Sequence, residues 1–477
     1  MILRWFFLLA LLFFAGCTTL PNDEELILKN HIPKTFNHQI ALKELKEKGI
    51  IKGDYLESFF HLFPDPSLQK LILESLKSNT NLLTLESKII QAKSTARINT
   101  AAMIPSVSVG SSYNSSNQNY KNVSVNYNQN SLNANASLSW EIDIFGRLNA
   151  LRKASIQNYL ATKDSLESAK ISLIADIANY YFTIRQLQNS IQIQTKIIQN
   201  FEQIMQITES KYKIGLIDIT DLSTIKNSLT SQKNALLTLQ YNLEQNKNAL
   251  NVLLNVQNNP IEIEQISPLS PAQIPLIDAL PQKALILRPD VQNAIHTLYA
   301  SLYTRTSKKM ALLPSITISG NLGQLLFSNT AHSGGLISQI TSSLTMPLFN
   351  RQSLTQSYLM AKEDTKQAYY TLQNTINTAI SELNNAAINL KTSKQSYENA
   401  KENLKYLYKS LMSAKAQYEE RLIDEQSYYE NQNTYLSAEN SLLADSLNLN
   451  QALIAIYKAL AGNLSKENHQ NTLKETK

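Results

Sequence analysis

The sequence predicts a mainly helical chain that is internally duplicated and carries a pair of β-strands in each half. Three observations lead there: two very long proline-free stretches with heptad spacing, a switch to alternating residues ahead of each, and short phrases that return later in the chain.

Proline is excluded from helix interiors and central strands, and none occurs from Ser106 to Asn259 or from Leu348 onward. Gly215 is the only glycine between Arg147 and Asn259. In the first stretch Ile177, Tyr180, Ile184, Leu187, Ile191, Gln194, Ile198, Phe201, Met205, Thr208 and Tyr212 alternate spacings of three and four, which makes a heptad seam. A second seam runs from Leu222 to Leu253. The two predict an antiparallel hairpin with Gly215 at its tip. The later stretch repeats the alternation from Leu383 to Tyr418.

Ahead of each long helix the period becomes two, the mark of a strand with unlike faces. Ala134, Ala136, Leu138, Trp140, Ile142 and Ile144 alternate with polar residues. Val107 and Val109, and Val123, Val125 and Tyr127, do the same upstream. In the second half Ile316 and Ile318 alternate with Thr317 and Ser319, and Ile340, Leu344, Met346 and Leu348 share a face. Four strands are expected, two per half.

The halves align at "IPSVSVG" with "LPSITISG" (offset 209), "IFGRL" with "LFNRQ" (204), and "YKIGLID" with "YEERLID" (206). This internal repeat organises the chain. The expected boundaries are a signal peptide at 1–16, a lipidated N-terminal segment at 17–58 and a first repeat at 59–259. A proline-rich linker at 260–281, a second repeat at 282–464 and a disordered polar tail at 465–477 follow.

The signal-peptide assignment rests on Arg4, the apolar run from Trp5 to Phe14 and the small residues Ala15 and Gly16. Cys17, the one cysteine in the chain, closes it, and "FAGC" resembles the lipobox of bacterial lipoproteins. The resemblance implies acylation of Cys17, with palmitate among the chains, and Thr18 in place of Asp implies sorting to the outer membrane. One acyl chain anchors marginally and several anchor almost permanently. A lone cysteine excludes an internal disulfide and a thiolate metal cluster.

The chain has 477 residues and a net charge of +6, with basic residues interleaved among polar and acidic ones, so nucleic-acid binding gets little support. The six histidines are scattered without metal-ligand spacing. No phosphate-binding loop, dinucleotide fingerprint or nucleophile elbow occurs. An enzyme is not expected, and neither is a cofactor.

A two-faced set of four strands leaves open edges that hydrocarbon does not tolerate, so several copies have to share one barrel. Three copies would supply about twelve strands and a quasi-sixfold helical tube.

Six motifs in order, "FFHLFPDPSLQKLI", "WEIDIFGRLNA", "YKIGLIDITDL", "ALILRPDVQNA", "MALLPSITISGNLG" and "YKALAG", resemble those of the TolC-like outer-membrane factor family. The resemblance implies a trimer with a twelve-stranded outer-membrane β-barrel continued by a periplasmic α-barrel. It implies a passive exit duct for a tripartite multidrug pump, with a periplasmic adaptor, an inner-membrane pump and outer-membrane lipid as partners. Protein secretion or metal efflux is the alternative duct, and a poreless coiled-coil lipoprotein is the rival outside the family.

Carried over by position, the adaptor-docking tips are Ile214, Gly215, Leu216 and Ile217 with Arg421, Leu422 and Ile423. Arg421 stands where the family usually has glycine; it either adds a contact or is solvated. The periplasmic gate falls on Asp218, Asp221, Tyr418, Asp424 and Glu430, with Asp221 and Tyr418 as a polar latch and Glu430 in an acidic ring. The three aspartates equally suit helix starts. Gln426 replaces an apolar constriction.

Overall fold

The structure, a computed structural model, describes residues 55–120, 125–256, 282–328 and 336–462. The expected signal peptide, Cys17, the proline-rich linker, the polar tail and Val123 lie outside the described residues.

The described chain begins with three helices, α1 (Tyr55–Leu62), whose first four residues fall in the segment expected at 17–58, α2 (Pro66–Ser78) and α3 (Thr80–Ala101). Strands β1 (Ser106–Tyr120) and β2 (Val125–Ile142) follow, then α4 (Arg147–Lys213) and the returning α5 (Ile219–Leu254). After a 3₁₀ turn (Gln282–Leu287), the second repeat runs α6 (Pro289–Met310), β3 (Ser315–Ser328), β4 (Leu336–Thr345), α7 (Arg351–Glu419) and α8 (Glu425–Ala459). Helix, strand pair, long helix and returning helix thus occur twice. The 67 residues of α4 reach about 100 Å at the usual rise of 1.5 Å per residue.

The strands form one antiparallel sheet in the order β1-β2-β3-β4, so the two repeats join edge to edge through β2 and β3. From Asn133 to Ile142 the register keeps the alternation in step across that junction, and a shift between Leu132 and Asn133 ends it. Val107 faces Leu138, which faces Gly320, which faces Ile340; on the opposite face Ser106, Ser139, Ser319 and Thr341 form the matching row. Ile144, Met346 and Leu348 continue the parity but fall just past the strands, which end at Ile142 and Thr345. In the first repeat the reason is local: the Asp143 carboxylate turns to accept from the N–H groups of Leu148 (3.0 Å) and Asn149 (2.7 Å), starting α4.

The helices form a layer in the order α5, α4, α8, α7: α4 packs on α5, α8 packs on α4, and α7 packs on α8. Along α7 every predicted seam position from Leu383 to Tyr418 is at least half-buried, while most other positions there are exposed. On α4 the predicted seam meets α5, where the Gln194 amide donates to the Gln232 side chain at 2.9 Å. A second buried stripe, with Ile193, Ile197 and Ile204, was not predicted. It exists because α4 lies between two helices, and Ile193 and Ile197 pack with Leu436 and Leu443 of α8.

The main core lies where α1 and α2 meet the middle of α4, with the middle of α7 and the ends of α5 and α8 contributing to it. Phe59, Tyr181 and Tyr457 are fully buried there, and the Phe59 and Tyr457 rings meet edge to face at 5.0 Å. The sequence motifs serve this packing. Asp65 caps α2 and accepts from the Tyr181 hydroxyl (2.7 Å) and Arg185 Nη1 (3.1 Å). Arg288, buried, is held by Asp290 and Glu382, each at 2.7 Å, and donates to the Ala459 carbonyl at 3.0 Å. Ser75 and Asn79 donate to the Leu253 carbonyl at the end of α5, which would otherwise lack a partner. No described helix is long and apolar enough to cross a membrane.

Candidate functional site at the helical hairpin tips

Each hairpin turns through the same backbone device. At the first, Gly215 has φ of 75°, its N–H donates to the Tyr212 carbonyl at 2.9 Å, and the Leu216 N–H reaches back to Lys211 at 2.9 Å. At the second, Arg421 takes φ of 57°, its N–H donates to Tyr418 at 3.0 Å, and Leu422 reaches Gln417 at 2.7 Å. This is the paired-bond helix ending for which glycine is preferred. Glycine enters the left-handed region freely, whereas a side-chain-bearing residue costs roughly 1–2 kcal/mol. The second tip therefore keeps the geometry of the first at a conformational cost.

The returning helices start alike. Asp218 accepts from the N–H groups of Thr220 (2.7 Å) and Asp221 (3.1 Å), and those two bonds hold its carboxyl below the usual range. Asp424 accepts from the Ser427 hydroxyl (2.6 Å) and N–H (2.9 Å). The Ser427 bonds, with Lys211 beside them, bring Asp424 down to about 2. Two of the three aspartates thus cap helices, while Asp221 lies in the first turn of α5, its backbone bound to Asp218.

The apolar residues of the tips face outward. Ile214, Leu216 and Leu422 are more than two-thirds exposed, whereas Ile217 and Ile423 are half-buried.

The predicted latch residues sit on opposite sides of the layer: Asp221 on α5 and Tyr418 at the end of α7, where its ring stacks on Tyr428 at 5.3 Å. Glu430 is exposed and accepts from Gln426 at 3.0 Å. Sequence reasoning missed Lys211, whose ammonium lies 3.1 Å from Asp424 and 3.3 Å from Gln426, tying the two tips together. A basic residue in a last helical turn is common, and nothing local pairs it with an acid 213 residues away. Among the described residues no cluster of three or more His, Cys, Asp or Glu is placed to hold a metal.

A two-faced sheet above a layer of very long helices is an arrangement with known counterparts. The Campylobacter jejuni CmeC outer membrane channel superposes with a TM-score of 0.73 at 22% identity, covering 87% of this chain and 90% of its own. In sequence the chain is 26% identical over 413 residues to the probable efflux pump outer membrane protein TtgC of Pseudomonas putida, covering 85% of this chain and 84% of that one. It is 25% identical over 461 residues to the cation efflux system protein CusC of Escherichia coli, covering 94% and 96%. The outer membrane efflux protein model matches residues 71–256 and 280–462, and the chain belongs to that family.

Proposed function

We propose that three copies of this chain form a channel-tunnel: a twelve-stranded barrel in the outer membrane continued by a helical tube in the periplasm, serving as the passive exit duct of a tripartite efflux pump. The observation that carries this reading is the sheet itself. It has one largely apolar face that crosses all four strands at the helical end, as in the row Val107, Leu138, Gly320 and Ile340, and two edges, β1 and β4, that no described strand covers. Unpaired edges are not stable in hydrocarbon. Joining β4 of one copy to β1 of the next closes the sheet, and the same rotation sets α7 beside the neighbour's α5. That brings Tyr418 and Asp221 to a shared seam between copies, the place for a latch.

In this reading the tips dock a periplasmic adaptor through Ile214, Leu216 and Leu422, with Gly215, Ile217, Arg421 and Ile423 shaping the turns. Asp218, Asp221, Tyr418, Asp424 and Glu430 hold the gate. Cys17 carries lipid that anchors the chain to the outer membrane. No step of catalysis is involved, and the driving energy comes from an inner-membrane pump. The preferred cargo is small organic molecules, in keeping with the similar toluene efflux pump outer membrane protein TtgC of Pseudomonas putida. Cation cargo is the second reading, favoured by the longer match to CusC.

The test is dye retention in a deletion strain, with the purified chain run in planar bilayers. Raised retention, rescued by the wild-type gene, together with unitary conductance supports the duct. Absence of conductance from inserted protein would exclude it. Cys17→Ala complementation reads the contribution of the anchor, and metal sensitivity without dye retention moves the cargo to cations.

A further inference from the structure

The two repeats differ at the rim where strands give way to helices. In the first, Arg147 closes a bidentate pair with Glu141, both oxygens at 2.7 Å from Nη2, and Asp143 caps α4. Aligned through "IFGRL" and "LFNRQ", the corresponding positions of the second repeat are Arg351, Thr345 and Pro347. Both acids are gone and the arginine remains. At the end of the preceding helix, where the first repeat has Asn99 and Thr100, the second has Lys308 and Lys309.

Lys308, Lys309 and Arg351 are exposed, and their side chains make no ion pair or hydrogen bond with a described residue. They lie at one level: α6 ends just before β3, α7 starts just after β4, Ser315 pairs with Thr345, and α6 packs against α7. Arg351 opens its helix, the end where a cation is disfavoured, so helix stability does not explain it.

The same rim is apolar. Met346 and Leu348 continue the parity of the sheet's apolar face and are half or more exposed, and Phe349 is fully exposed, against 38% for Phe145 at the matching position. An apolar ledge beneath three free cations, continuous with a face that reads as lipid-facing, is complementary to a phospholipid with an anionic headgroup.

We propose that the rim of the second repeat binds an anionic phospholipid of the leaflet on the helical side, its phosphate among Lys308, Lys309 and Arg351 and its acyl chains along Met346, Leu348 and Phe349. The first repeat, with its acids retained, does not. Three copies of the chain would carry three such sites, alternating with three corners that keep their acids. This rests on the reading of the sheet as membrane-inserted.

The test uses the full-length protein in detergent, scored by native mass spectrometry with phosphatidylglycerol, phosphatidylethanolamine of the same chains, and glycerol phosphate. The expected result is an at least roughly tenfold preference for phosphatidylglycerol, since each cation near an anionic lipid surface adds measurably to attraction. It should fall to near parity in Lys308→Gln/Lys309→Gln/Arg351→Gln and weaken in Phe349→Ser, while Arg351→Lys retains it. Equal binding of the two lipids, or a preference that survives the triple substitution, overturns the site. Competition by glycerol phosphate as strong as by the lipid would make it a soluble-anion site and also overturn it. Loss of the oligomer in Phe349→Ser would assign the ledge to a contact between copies, with the same consequence. Flotation with neutral vesicles separates the premises: failure to float sinks the membrane reading, whereas flotation without lipid preference sinks the site alone.

Discussion

Lys211 Nζ lies 3.1 Å from Asp424 Oδ2, joining the last turn of α4 to the first residue before α8. The pair couples the tips of two hairpins, and it is partly exposed, so its Coulomb term is worth only about 0–1 kcal/mol. Asp424 also caps α8, and a lost cap costs about 0.5–2 kcal/mol. Asp424→Ala therefore loosens the tip more than Lys211→Ala. Asp424→Asn, which keeps a capping oxygen, should match Lys211→Ala. Hydrogen exchange at Ser427 and Tyr428 reads the order. Equal effects from Asp424→Ala and Asp424→Asn would show that the cap carries nothing.

The same carboxylate sets a pH window. Its value is lowered from 3.8 to about 2 in the folded chain, so its contribution is fully present above the ordinary value and is lost as pH falls through about 2. Tip protection by hydrogen exchange, corrected for the intrinsic rate, should be flat from neutral pH down to about 5 and decline below about 4. A decline centred near neutral pH would assign the coupling to some other group.

Arg421 stands in the left-handed region that Gly215 occupies in the first hairpin. Replacing it by glycine relieves roughly 1–2 kcal/mol of backbone cost and adds back about 0.5–1 through the freer unfolded chain. Arg421→Gly should thus be neutral to stabilising, by up to about 1.5 kcal/mol. Gly215→Ala, where nothing stands within 4 Å of a new Cβ, should be destabilising through φ alone. Local opening of each tip reads both. If Arg421→Gly weakens efflux without weakening the fold, the arginine is kept for the adaptor.

Gly462 shows a harder limit. A Cβ there would stand 2.5 Å from Tyr55 Cβ and 2.9 Å from Tyr55 Cα, and φ is 72° besides. Gly462→Ala has to push α1 off the end of α8, where the Tyr457 hydroxyl donates to the Tyr55 carbonyl at 3.1 Å. Overpacking together with φ strain predicts a loss of about 2–4 kcal/mol, seen as a lowered unfolding temperature. A loss under about 1 kcal/mol would mean that α1 shifts freely.

Regular periods made much of the fold legible. A seam such as Leu383 to Tyr418 on α7 needs only one neighbouring helix, and alternation such as Ala134 to Ile142 needs only one apolar side. What stayed hidden depended on partners distant in the chain. The buried stripe on α4 at Ile193 and Ile197 required knowing that a second helix covers it. The anchors of Arg288 and Asp65, and the pairing of Lys211 with Asp424, join residues that no local pattern links. At the tips the turn residues were legible because glycine and aspartate have narrow backbone uses, whereas the docking and gating roles came from resemblance.

The α4 to α8 boundary carries the last prediction. Within each hairpin the seams are largely apolar, but between hairpins the small cluster of Ile193, Ile197, Leu436 and Leu443 is flanked by amides: Asn200 donates to Asn433 at 2.8 Å, and Ser190 bonds to Asn440. Polar pairs contribute little net stability, but breaking one side of a partly buried pair costs about 1–3 kcal/mol. Asn200→Leu alone should destabilise, whereas Asn200→Leu with Asn433→Leu should be neutral or stabilising. If, in the proposed channel-tunnel, opening separates α4 from α8, the double variant also resists opening, because leaving water for a leucine seam is favourable and reversing it is not. Thermal unfolding checks the first half and bilayer conductance the second. A double variant that is stable and conducts as freely as wild type would show that the hairpins part elsewhere.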